Sequence, residues 1–146
     1  MNPDNNYVKI NGKYAGEFEM NTYMAAHFGV PTVFISGDAQ LCQQAKELVP
    51  AIETVAVKSG IGNATFNMNS TKACRLIEEG VKKGLNKIKE CKLKEPESYE
   101  VEINFKEPVR AFRSSFYPGV EQLDAKTVRY TAKDAFDMMT TRMFIL

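Results

Sequence analysis

The sequence predicts an α/β fold: a β-hairpin and a β-α-β parallel-sheet portion, followed by a smaller mixed β/α lobe. Three observations carry this expectation. Asn11-Gly12 lies between two short alternating runs, and this dipeptide readily supplies the two positive φ angles of a tight hairpin. Two β-branched, apolar runs, TVFIS at 32–36 and ETVAV at 53–57, flank one helical pattern at the spacing of a right-handed crossover between parallel strands. Residues 71–88 repeat apolar side chains with the period of an amphipathic helix, beyond a stretch rich in small and amide residues. With 146 residues the chain is one ordinary domain or two small lobes. The boundary is placed in the amide-rich stretch, giving 1–69 as the α/β portion and 70–146 as the smaller α/β lobe.

Taken in order, residues 7–10 and 13–15 form the arms of the opening hairpin. From 17 to 28 the pattern is helical: Met20, Met24 and Phe28 recur every four residues, and Glu17 and Asn21 share a second stripe, so they point the same way. Gly29 and Pro31 end that helix, and the continuous run at 32–36 suits a strand buried on both faces, as in parallel sheets. Asp38 is placed to cap a helix at 39–48, whose Leu41, Ala45 and Leu48 keep helical spacing before Pro50. The second buried strand leads into Lys58, which sets Asp38 and Lys58 at the carboxyl edge of nearby strands. Residues 59–70, SGIGNATFNMNS, are expected to be a loop. Ser70 would cap the helix at 71–88, with Cys74, Ile77, Val81, Leu85 and Ile88 on its apolar face. After a charged connector at 89–98, YEVEINF at 99–105 alternates as a half-exposed strand. A turn at Pro118-Gly119, a strand at 127–131 and a terminal helix over about 133–144 complete the chain.

Composition excludes several function classes. Nineteen basic residues against eighteen acidic ones, without long blocks of one sign, leave no electrostatic footprint for nucleic acid or an anionic membrane. Cys42, Cys74 and Cys91 are odd in number and widely spaced, so they read as reduced intracellular thiols that pack as small apolar residues. Residues 1–10 show no leader pattern and no segment has membrane-spanning length, so a soluble, cytoplasmic protein is expected.

Most catalytic templates lack parts here. His27 is the sole histidine, which rules out a histidine-rich zinc site built from one copy, and its place beside Phe28 favours a surface or packing role. Gly60-Ile61-Gly62 lacks the residues that would make it a phosphate or dinucleotide loop. Glu17 and Glu19 form an E-x-E pair at a helix start, where the dipole alone favours carboxylates. Two residues apart, they face different ways, so only one can serve as a ligand. Acidic groups at a helix mouth and past a strand end line the crevice where α/β sheets bind ligands, which puts Glu17 and Asp38 first. Asp38 has the alternative of a simple cap, and Lys58 that of an exposed strand end. Phe66, Met68, Met138, Met139 and Met143 read as core or interface.

The run GEFEMNTYMAAHFGVPTVFISGD, then the helix, the strand and VAVKSGIG, is similar to the zinc-dependent D-aminopeptidase family of dipeptide-transport operons. Glu17, Asn21, the Phe28-Gly29-Val30-Pro31 turn, Ser36-Gly37-Asp38 and Val57-Lys58 stand at matching intervals, and the likeness covers the later half of that family. It implies a two-zinc peptidase in which an early D-x-E pair and two histidines supply most ligands and Glu17 completes the set. By this resemblance residues 1–69 are the later portion of the metal-site domain. Asn21 and Asp38 are then supports behind the metal, and Lys58 contributes charge near the substrate.

What the resemblance implies is the C-terminal part of a hydrolase that releases N-terminal D-amino acids from short peptides. The chain alone lacks most metal ligands, so activity is expected only beside a complementary N-terminal-half polypeptide. The family's ring-type self-compartmentalising assembly implies a homo-oligomer, and the alternative to a split enzyme is a non-catalytic assembly module derived from it.

Overall fold

The computed structural model describes residues 4–146; the leader reading over residues 1–10 thus falls in part outside the described residues. In chain order the elements are β1 (Asn5–Ile10), β2 (Lys13–Tyr14), α1 (Glu17–His27), β3 (Phe34–Asp38), α2 (Ala39–Leu48), β4 (Glu53–Ile61) and β5 (Ala64–Asn67). They continue as α3 (Ser70–Leu85), β6 (Tyr99–Phe105), α4 (Pro108–Ser114), β7 (Val120–Gln122), β8 (Thr127–Ala132) and α5 (Ala135–Ile145). The fold is the expected mixed α/β, divided into two compact units: residues 4–28 with Lys94–Leu146, and Gly29–Leu93.

The first unit is built on an antiparallel sheet of order β2-β1-β6-β8-β7. Its hairpin forms as Asn11-Gly12 dictates, with φ of 50° and 78° at the two turn residues, and Lys9 pairs Tyr14. β1 of the hairpin runs antiparallel to β6, with Val8 opposite Ile103. The cause is the alternation of β6, which turns Tyr99, Val101, Ile103 and Phe105 inward, each essentially buried. Removing side chains of this size from water stabilises by about 1.5–3 kcal/mol each. Met20, Val128, Tyr130 and Met138 complete that core. Two elements, α4 and β7, were not predicted. Pro108 starts α4 where a missing N–H is harmless, and the three residues of β7 are too few for a period to show.

The second unit is a mixed sheet of order β3-β4-β5, with β3 and β4 parallel and β5 antiparallel to β4. The β-α-β crossover is present, and α2 occupies the expected residues 39–48. The buried-on-both-faces expectation holds only in part, because the side chains of β3 are half-buried or exposed. The stretch 59–70 is not a loop: β4 continues to Ile61, turns at Gly62 and Asn63, and returns as β5. The N-cap of α3 is Asn69, not Ser70; its side chain accepts the Lys72 N–H at 3.2 Å. Nor is the packed face of α3 the predicted stripe. Gly80 and Gly84 are its buried residues, while Cys74 and Leu85 are exposed. Glycine at these positions lets the helix lie directly on Val33, Phe34 and Val55, so α3 belongs with β3 and β4 and the unit runs on past residue 70 to Leu93. Of the three free cysteines, Cys42 and Cys91 pack inside as expected, and Cys74 does not.

Candidate functional site

In the first unit the chain leaves β2 and is tied back by the Ala15 N–H, which donates to the Val8 carbonyl at 2.9 Å. Gly16 caps α1, and its N–H donates to Glu19 Oε2 at 2.7 Å. Glu19 is thereby engaged in fixing the helix start, and Glu17 is the first helical residue, exposed. Asn21 follows one turn later, also exposed, whereas Met20 and Thr22 face the core. Glu17 and Asn21 therefore share the outer face of α1, as their spacing required. The helix N-terminus favours negative charge at Glu17.

Asp38 and Lys58 lie in the second unit. They are register partners on β3 and β4, just past an irregularity in the pairing. Its Oδ1 accepts the Leu41 N–H at 2.8 Å, so Asp38 is the N-cap. Lys58 is exposed, and because β4 runs on to Ile61 it sits inside the strand, not at its end. Burial pushes the thiol of the neighbouring Cys42 up, which keeps it protonated and unreactive.

His27 has the packing role expected of it. Its Nδ1 is 3.2 Å from Glu95 Oε1, and its ring stands edge-on to Phe28 and stacks near Phe136. Glu95 Oε2 accepts the Tyr99 hydroxyl at 2.9 Å and the Ala135 N–H at 3.1 Å. One carboxylate thus joins the end of α1, the start of β6 and the start of α5. Burial, and then Glu95, hold the Tyr99 hydroxyl well above its ordinary titration range, so it remains a donor. Nothing in the sequence pattern marked Glu95, which stands in a solvated-looking charged connector.

Among the described residues, no three His, Cys, Asp or Glu side chains converge as a metal-ligand set. A zinc centre takes three or four protein ligands. Also among the described residues, no helix is long and apolar enough to cross a membrane.

Comparison with known proteins gives a consistent result. Residues 1–144 match the family model described as D-aminopeptidase. A D-aminopeptidase of Bacillus subtilis (strain 168) is 32% identical over 131 residues, which is 88% of this chain and 48% of that protein. The structure of DppA from Bacillus subtilis, described as a Zn-dependent D-aminopeptidase and self-compartmentalizing protease, superposes with a TM-score of 0.87 at 27% identity. The superposition covers 97% of this chain and 53% of DppA. The chain therefore spans about half the length of the relatives it matches.

Proposed function

The chain belongs to the D-aminopeptidase family, and on that premise we propose that it is the part of a zinc D-aminopeptidase that contributes Glu17 to the metal site. The carrying observation is the placement of Glu17. It is the exposed first residue of α1, at the helix N-terminus. Asn21, on the same face, supports the carboxylate. Asp38, at the carboxyl end of β3, and its register partner Lys58 offer polar contacts to a peptide. The remaining ligands come from a polypeptide corresponding to the other half of the relatives. The open edge of β3 supports this reading: its sequence is of the parallel-sheet kind, yet among the described residues it pairs on one side only. The substrates in this reading are short peptides with an N-terminal D-residue, and the assembly holds several copies of the chain.

Native mass spectrometry of the particle purified from its source, with bound metal retained, tests the proposal. A second polypeptide together with zinc is the expected result. Glu17→Gln in that particle should lower zinc content and abolish hydrolysis of a D-alanyl amide. Unchanged zinc and unchanged hydrolysis would overturn the assignment of Glu17. A metal-free particle made of this chain alone, without hydrolysis, would overturn the enzyme reading and leave an assembly module.

A further inference from the structure

The β4–β5 ribbon is the most exposed regular structure of the second unit. Every residue from 58 to 67 is exposed, including Ile61 at 64% and Phe66 at 65%. The register fixes what each face carries. Ser59 opposes Phe66 and Ile61 opposes Ala64, and directly opposed side chains lie on the same side of a sheet. One face is therefore Ser59, Ile61, Ala64 and Phe66, and the other is Lys58, Gly60, Thr65 and Asn67. Val57 is an extra residue in β4, because Gly37 pairs Ala56 and the next residue, Asp38, pairs Lys58; the alternation is interrupted there, and the faces of the ribbon are set by its pairing with β5.

Two features of the sequence make this ribbon unusual. Sheet edges are normally blunted by lysine, proline or inward charges, because a bare edge recruits another strand. Here β5 is the last strand of its sheet, and residues 59–71 contain neither a charged side chain nor a proline. A two-stranded ribbon with an apolar face also gains little stability by itself in water.

We infer that the β4–β5 ribbon is a self-association surface whose occupant is a second copy of this chain, seated on the face of Ile61, Ala64 and Phe66 and along the β5 edge. The absence of charge selects the partner. An uncharged patch meets its own copy without like-charge repulsion, whereas it offers nothing to steer a charged partner. A two-fold axis beside β5 would pair the edge with itself, the isologous arrangement that closes on a dimer. The inference rests on the multi-copy assembly proposed above and specifies the surface that builds it.

The test is the mass of the full chain by native mass spectrometry and light scattering, for wild type, Phe66→Glu and Ile61→Lys. Hydrogen exchange over 64–67 is followed as the wild-type protein is diluted. Wild type should assemble, both variants should associate at least tenfold more weakly, and protection of 64–67 should fall on dilution. Circular dichroism should show the variants folded, since both side chains are exposed. If a variant fails to fold, the dilution dependence of exchange in wild type decides. Assembly with 64–67 unprotected, or undiminished by both substitutions, would overturn the ribbon while leaving a multi-copy enzyme intact. Protection that appears only with a different polypeptide would also overturn it. A wild-type chain that is monomeric at every concentration would remove the multi-copy reading and the ribbon together.

Discussion

Gly84 of α3 lies directly against the main chain of Val33, so close that a Cβ at that position would overlap the Val33 carbonyl oxygen. The helix is held to the strand by the lack of a side chain. Alanine is favoured over glycine in a helix interior by about 1 kcal/mol, so an uncontacted site would be stabilised by Gly84→Ala. Here the substitution should instead destabilise by about 1–3 kcal/mol, as overpacking does. Gly80→Ala should cost less, because a Cβ there meets the Phe34 ring, at 2.5 Å, and a side chain can shift where backbone cannot. Urea midpoints of the two variants check both statements; a higher midpoint for Gly84→Ala would refute the close approach.

Capping and charge at Asp38 can be separated by substitution. Asp38→Ala should lose about 1 kcal/mol of stability, and Asp38→Asn should keep most of it, since an amide oxygen can still accept the Leu41 N–H. Thermal melts of both proteins provide the comparison. If Asp38→Asn melts like wild type yet the assembled enzyme loses peptide hydrolysis, the negative charge has a role beyond the cap.

Glu53 and Lys87 tie the start of β4 to the segment after α3. The hydrogen bond from Lys87 holds the Glu53 carboxyl below its ordinary value near 4.5. A carboxylate with a depressed folded-state pKa adds stability above its unfolded pKa, and that contribution is lost as pH falls through the folded value. Stability should therefore decline below about pH 4.5, and Glu53→Gln should flatten this part of the profile while matching wild type more closely at low pH. Denaturation midpoints between pH 3 and 7 measure it; identical slopes in the two proteins would show that the pair contributes nothing.

Glu95 should behave as a junction. Glu95→Ala leaves the buried Tyr99 hydroxyl and the Ala135 N–H without their acceptor, and losing such partners costs about 1–3 kcal/mol. Glu95→Gln, which retains one acceptor oxygen, should lose less. The double substitution with Tyr99→Phe should be less than additive. Denaturant unfolding of the four proteins completes the cycle, and full additivity would mean that the carboxylate and the hydroxyl act independently.

Strong local signals translated directly into structure. Asn11-Gly12 gave the hairpin, YEVEINF gave β6 residue for residue, and Asp38 was placed as the cap of α2. Long-range choices were not legible in the same way. The partner of β1 lies some ninety residues further on, and no local period states it. Amphipathic spacing suggested the wrong buried face for α3, because the hydrophobic count ignores glycine and the decisive contact is backbone to backbone. The ribbon at 59–67 was hidden by small and amide residues, although Gly62-Asn63 is itself a hairpin signal and Thr65-Phe66 favours a strand. The glutamate at the start of α1 stood out because of its neighbours and the family resemblance, whereas the bond from Gly16 to Glu19 was not legible in the sequence.

The strand order β2-β1-β6-β8-β7 also sets a timetable. The Tyr7 hydroxyl reaches Glu102 across 95 residues, so when the ribosome delivers β1 and β2 their central partner does not yet exist. Residues 29–93, by contrast, are contiguous, and β3, β4 and β5 pair within them. Pairings of high sequence separation close late and slowly. The nascent chain therefore carries the hairpin and α1 without their sheet partner until β6 is made, an interval in which unpaired strand edges favour misassembly.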